Sequence, residues 1–223
     1  TLLDSMPMWR DITYEYAEQK GVHAPEGLHR ALNRLSLEQC AEYYQTLGVE
    51  GSVEQIAKEL AACAVEGYRT KVEEKPHARQ FLELLKENRI PIGVATASNR
   101  EGVLLALERL GMLPLVDCFA TCGEVGKSKE HPDIFLYCAE KLGGKPEESV
   151  VFEDSAYAIR TAKNAGFPVV AVEDGVSIHG EGAAETKDGI ASMANLYLGD
   201  YGELIGRLTP VEDVSQGLGN LLG

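Results

Sequence analysis

The sequence has no apolar run approaching the roughly 20 residues that a membrane-crossing helix needs. Its longer apolar stretches, such as Ser149 to Phe152 and Phe167 to Val172, are only of strand length. The N-terminus shows no basic region followed by an apolar segment and a small-residue cleavage site, so no secretion signal is expected and the cytoplasm is the default compartment. Cysteine is sparse: Cys40, Cys63, Cys118, Cys122 and Cys138 form no CxxC and lie mostly in apolar segments, which fits reduced thiols better than disulfides or zinc. The five histidines show no metal-binding spacing. Positive charge is short as well, with 21 Lys and Arg against 35 Asp and Glu and a net charge of −14. The cations are scattered, so no stripe exists to replace counterions on a nucleic acid. An anionic substrate must then be captured by local devices, because the field of the whole protein repels it.

What is present is enough for a folded core: 223 residues, 44% of them hydrophobic. From about Pro76 onward, strand-length apolar runs alternate with stretches of helical period, which predicts a parallel sheet with crossover helices. The strands are expected at Ile90 to Ala95, Cys118 to Thr121, Val150 to Phe152, Pro168 to Val172 and Leu196 to Leu198. Helices are expected around Val103 to Leu110, after Pro132, from Ala156 to Ala165 and from Tyr201 to Leu208, with a peripheral tail after Pro210. Before Lys75 the pattern is helical only, over Trp9 to Gln19, Gly27 to Arg34, Leu37 to Leu47 and Val53 to Tyr68. Glu73 to Pro76 reads as a polar return hinge.

In open α/β sheets ligands bind beyond the carboxyl ends of the strands, which directs attention to three segments. The first is Thr96-Ala-Ser-Asn-Arg-Glu101, where Ser98 and Glu101 have the spacing of a capping box, and where free helix amides with the Thr96 hydroxyl suit a phosphate. The second runs from Gly123 to Asp133 and delivers Lys127 and Lys129 ahead of a helix, as compact cations able to neutralise a developing phosphoryl charge. The third is Glu153-Asp154, adjacent carboxylates on a strand-to-helix turn, which are hard oxygen ligands suited to Mg²⁺. Singly, each also reads as a helix cap, a solvated lysine or an acidic first turn.

Their order is more telling. A hydroxyl after a strand, a lysine ahead of Pro132-Asp-Ile-Phe135, and Glu153-Asp-Ser155 after an apolar strand make this chain resemble the haloacid dehalogenase-like superfamily. The opening Thr1-Leu-Leu-Asp-Ser5 adds to the likeness, because in that family such a segment follows a strand bearing Asp-x-Asp-Gly-Thr, whose last residue Thr1 matches. The helical stretch that comes next resembles the α-helical cap of the subfamily containing β-phosphoglucomutase and many small-molecule phosphatases. The resemblance spans about Thr1 to Leu208. It implies an α/β fold with a Rossmann-like parallel-sheet core over residues 1–7 and 76–223 and an inserted all-helical cap over 8–75.

The resemblance also implies roles. Thr96 becomes the phosphate-binding hydroxyl, with Ala97, Ser98 and Asn99 lining the same site; Lys129 becomes the charge-stabilising lysine; Asp154, supported by Glu153, becomes the Mg²⁺ ligand. In the family the first Asp of the opening motif forms an aspartyl-phosphate and the second is the general acid and base, so both are expected upstream of Thr1. The implied activity is hydrolysis of a phosphomonoester on a small phosphorylated metabolite, by a monomer or weak dimer. A sugar phosphomutase is the alternative. The arginine that follows a serine in the cap loop of β-phosphoglucomutase corresponds to Leu37 after Ser36, its cap histidine to Trp9 and its phosphate-loop lysine to Asn99, departures that favour hydrolysis and leave a mutase to use Arg30 or Arg34 as a substitute. A further alternative is a non-catalytic fragment or binding module without the nucleophile strand.

Overall fold

The structure is a computed structural model that describes residues 1–32, 35–174 and 186–207. The expected tail after Pro210, the end of the helix expected to reach Leu208, and Arg34 lie outside the described residues. The chain divides into two compact units, one of Thr1–Leu3, Glu74–Ser98 and Leu110–Gly223, the other of Asp4–Glu73 and Asn99–Arg109.

In the second unit, helices α1 (Met6–Gln19), α2 (Leu28–Leu32), α3 (Leu37–Thr46) and α4 (Val53–Thr70) follow one another. Ser36 and Ser52 open α3 and α4 by accepting the Gln39 and Gln55 amides, the usual remedy for unpaired first-turn donors. The inner faces bury Tyr16, Leu28, Tyr44, Ile56 and Leu60 in one cluster, and the buried Tyr44 hydroxyl donates to the Thr13 carbonyl at 2.8 Å. Helix α6 (Arg100–Arg109) belongs to the same unit and packs on α4. Gly102 makes this possible, since a Cβ there would lie 3.0 Å from the Tyr68 ring.

The first unit carries the strands. After helix α5 (Ala78–Glu87) come β3 (Gly93–Thr96) and β4 (Cys118–Thr121), paired in parallel with Thr96 opposite Thr121. The short helix α7 (Cys122–Val125) and helix α8 (Asp133–Lys141) lead to β5 (Val151–Glu153), helix α9 (Ala156–Asn164), β6 (Val169–Val172), helix α10 (Lys187–Met193), β7 (Leu196–Leu198) and helix α11 (Gly202–Ile205). Strands β5, β6 and β7 form a second parallel sheet in that order. Among the described residues no ladder joins the two sheets. The all-buried β6 packs with Ile134, Phe135, Ile159 and Phe167 in a continuous apolar core, as expected for a strand covered on both faces.

Two expectations shift locally. The Glu73 to Pro76 hinge contains a short strand, β2 (Glu73–Glu74), which pairs with β1 (Leu3–Asp4). The acids and lysine of that segment conceal the strand, because its pairing partner is some 70 residues distant in sequence. The cap of α6 is Asn99 rather than Ser98: the Asn99 side-chain oxygen accepts the Gly102 amide at 3.1 Å, while the Ser98 amide donates to the Thr96 hydroxyl at 3.0 Å. Both residues are good helix caps, so composition alone does not choose between them. No helix among the described residues is long and apolar enough to cross a membrane.

Candidate active site

Three of the expected residues converge where the two sheets end. Glu153 closes β5 and is only 2% exposed, with its charge distributed among close donors. One carboxylate oxygen accepts the Lys129 ammonium; the other accepts the Asp154 and Ser155 amides at 2.8 and 3.2 Å. Those amides open the turn into α9, so the buried acid also shapes the loop that holds Asp154. A buried charge is tolerable only when paired and hydrogen-bonded in this way.

Lys129 reaches Glu153 from the loop after α7. Its backbone amide bonds the Cys122 sulfur, and its ammonium lies 5.9 Å from the centre of the Phe135 ring. Burial alone disfavours the charged form, but the Glu153 and Asp154 carboxylates outweigh it and raise the lysine above its ordinary value. It therefore stays a cation. Lys127, the other lysine of this loop, is exposed and pairs with Asp133 at 3.0 Å.

Asp154 lies beside them with its side chain 15% exposed. Burial pushes its carboxyl upward, and the nearby Lys75 charge acts against that. The Thr1 backbone nitrogen donates to one Asp154 oxygen at 3.2 Å and the Thr1 hydroxyl to the other at 3.0 Å. A carboxylate just past the carboxyl end of a strand is a hard oxygen ligand of the kind that Mg²⁺ takes. The buried Tyr201 hydroxyl, without a hydrogen-bond partner among the described residues, feels the same Asp154 and Glu153 charges and adds polar capacity nearby. Among the described residues no three His, Cys, Asp or Glu side chains group to hold a metal. A Mg²⁺ ion commonly takes only one or two carboxylates, with waters and substrate oxygens completing the shell, so the donor set fits it.

Thr96 ends β3 and is half-buried; its hydroxyl accepts the Ser98 amide, Ala97 is exposed and Ser98 half-buried. Asn99 caps α6 within the helical unit. Two residues of this region went unnoticed in the sequence, Lys75 and Asp174, which form a buried ion pair beside Asp154. The available signal for Asp174 was its place just past the carboxyl end of a strand; Lys75 offered none.

A family model for haloacid dehalogenase-like hydrolases matches residues 1–166. The chain belongs to the haloacid dehalogenase-like hydrolase family. A phosphorylated carbohydrates phosphatase of Thermotoga maritima is 30% identical over 166 residues, covering 74% of this chain and 77% of the relative. The fructose-1-phosphate phosphatase of Escherichia coli is 26% identical over 178 residues, 77% of this chain and 91% of the relative. Among solved structures, a putative β-phosphoglucomutase from Thermotoga maritima superimposes with a TM-score of 0.75 at 26% identity, covering 88% of this chain and 89% of that one. The Rossmann-like parallel-sheet core with an inserted helical cap is the fold these proteins share with this haloacid dehalogenase-like hydrolase.

Proposed function

We propose that this haloacid dehalogenase-like hydrolase is a Mg²⁺-dependent phosphomonoesterase acting on a small phosphorylated metabolite, a phosphorylated sugar being the first class to test, in the cytoplasm as a monomer or weak dimer. The observation that carries it is the convergence of Lys129, Glu153 and Asp154, a lysine ammonium held on a buried carboxylate with a second carboxylate next to it in the chain. The names of the matched relatives, phosphatases of phosphorylated carbohydrates and of fructose 1-phosphate, support the substrate class.

In this reading the Thr96 hydroxyl and the amides of Ala97 and Ser98 bind the phosphoryl oxygens, with Asn99 completing the loop. Lys129 holds its proton and offsets the charge that develops on the transferring group, the term from which most catalysis of this reaction arises. Glu153 keeps Lys129 and the Asp154 turn in place, and Asp154 is the metal ligand. Bound there, Mg²⁺ supplies neutralising charge and orients the phosphoryl group. The nucleophile is an Asp upstream of Thr1, which forms an aspartyl-phosphate, and a second Asp of the same strand moves the proton.

A phosphomutase is the second reading, favoured by the likeness to a putative β-phosphoglucomutase. To test the metal assignment, phosphate release from sugar phosphates is measured with the full-length protein with Mg²⁺, after chelation, and in Asp154→Ala. Loss of activity on chelation and in the variant is expected. An Asp154→Ala protein of full activity overturns the assignment.

A further inference from the structure

The loop that carries Lys129 is clamped by helices α8 and α9. The Lys127 ammonium pairs with Asp133, the first residue of α8, at 3.0 Å. The Glu130 carbonyl accepts the Thr161 hydroxyl of α9 at 3.3 Å. Between these two contacts Lys129 turns inward, its side chain 13% exposed, and gives one N–H to the Glu153 carboxylate. Its ammonium lies over the ring of Phe135, the third residue of α8, at 5.9 Å from the ring centre. The negative face of an aromatic ring attracts a cation within roughly 6 Å, and more strongly where water is excluded.

The chemistry of a ring suits this place. An ammonium has three donors, and Glu153 takes one of them. A second carboxylate in the position of Phe135 would cancel the charge of the lysine, and an amide or hydroxyl oxygen would engage another N–H. An aromatic face attracts the charge without acting as a conventional acceptor, which leaves the remaining donors for a phosphoryl group. The ring itself has little freedom. Phe135 is buried in the core cluster with Ile134 and Ile159, and its ring meets that of Phe167 at 6.3 Å and 60°. Side chains packed in this way sit in defined rotamers. We infer that Phe135 is a positioning residue for the reaction, its ring fixing the Lys129 ammonium so that it meets the transferring phosphoryl group instead of swinging about the single Glu153 contact. The inference rests on the reading of Lys129 as the charge-stabilising lysine of a phosphomonoesterase.

The test uses the full-length protein with Mg²⁺, para-nitrophenyl phosphate as a general phosphomonoester, and orthovanadate as an anion that mimics the transferring phosphoryl group. Phenylalanine bearing one, two or three ring fluorines is placed at position 135, which keeps the shape of the side chain while drawing electron density away from the ring face. Both kcat and orthovanadate affinity are expected to fall stepwise along the series, by about 2–30-fold in total, with little change in KM or in unfolding temperature. A ring that serves only to fill the core produces no such gradient. Phe135→Leu, which removes the ring, is expected to lose at least as much in kcat and to unfold at a lower temperature. Constant kcat and orthovanadate affinity across the fluorinated series, with activity lost in Lys129→Met/Glu153→Gln, overturns the inference. Wild-type kcat in Lys129→Met/Glu153→Gln overturns the reading of Lys129 beneath it.

Discussion

Lys129 donates its ammonium to the Glu153 carboxylate, and this buried ion pair joins the loop that follows one parallel strand pair to the end of the first strand of the other sheet. Removing the lysine leaves a buried carboxylate without its cation, whereas removing both charges does not. Lys129→Met is therefore expected to cost about 3–5 kcal/mol of stability, and Lys129→Met/Glu153→Gln to recover most of it. Neither protein is expected to release phosphate. Denaturant unfolding run beside a phosphate assay separates the two effects, and an active double variant contradicts the role given to Lys129.

The Thr96 hydroxyl accepts the Ser98 amide and so shapes the loop at the end of β3. Thr96→Val keeps the volume and removes the acceptor, with an expected cost near 1 kcal/mol. If the hydroxyl and the amide it orients bind the phosphoryl group, kcat falls by about 100-fold or more. Thr96→Ser is expected to retain activity. Equal kcat values for Val and Ser at this position remove Thr96 from the site.

Asn99 rather than Ser98 caps α6, with its oxygen on the Gly102 amide. Asn99→Ala is expected to destabilise the protein by about 1 kcal/mol, while Asn99→Asp keeps the acceptor and adds a charge favourable at a helix N-terminus. Thermal unfolding of the two variants checks this, and an Asn99→Ala protein as stable as wild type contradicts the cap.

Much of this architecture was legible in the sequence because burial on both faces writes parallel strands as short apolar runs. Cys118–Thr121 and Leu196–Leu198 fall on the residues expected, and β3, β5 and β6 differ from expectation by at most three residues at either end. Glu153 was read as part of the turn, but it is the last residue of β5 and faces inward, because its carboxylate finds Lys129 and two amides there. That arrangement depends on a partner 24 residues earlier in the chain, to which local pattern is blind. Lys75 and Asp174 are hidden for the same reason at greater range, 99 residues apart. The Ser98 and Asn99 ambiguity is of another kind: both side chains can cap, and the backbone path into α6 decides.

In the helical unit, Glu59 is held to about 2, against an ordinary 4.5, by hydrogen bonds from Lys20, Tyr16 and Gln55. A carboxylate with a folded pKa below its unfolded one adds stability above the unfolded value and loses it as pH falls through the folded value. Stability is accordingly expected to decline as pH falls from about 4.5 towards about 2, and the decline to be shallower in Glu59→Gln. Unfolding temperatures measured across that range provide the comparison. Parallel pH profiles for the two proteins contradict the link.

The central claim is hydrolysis, in which each phosphate ester consumed gives one free phosphate. The direct measurement incubates the full-length protein with Mg²⁺ and a panel of sugar phosphates and nucleotides, and follows free phosphate and isomerised ester in the same samples. Stoichiometric phosphate, with no isomer, is the result predicted for at least one sugar phosphate. An isomerised sugar phosphate formed without phosphate release contradicts the account and makes the protein a mutase.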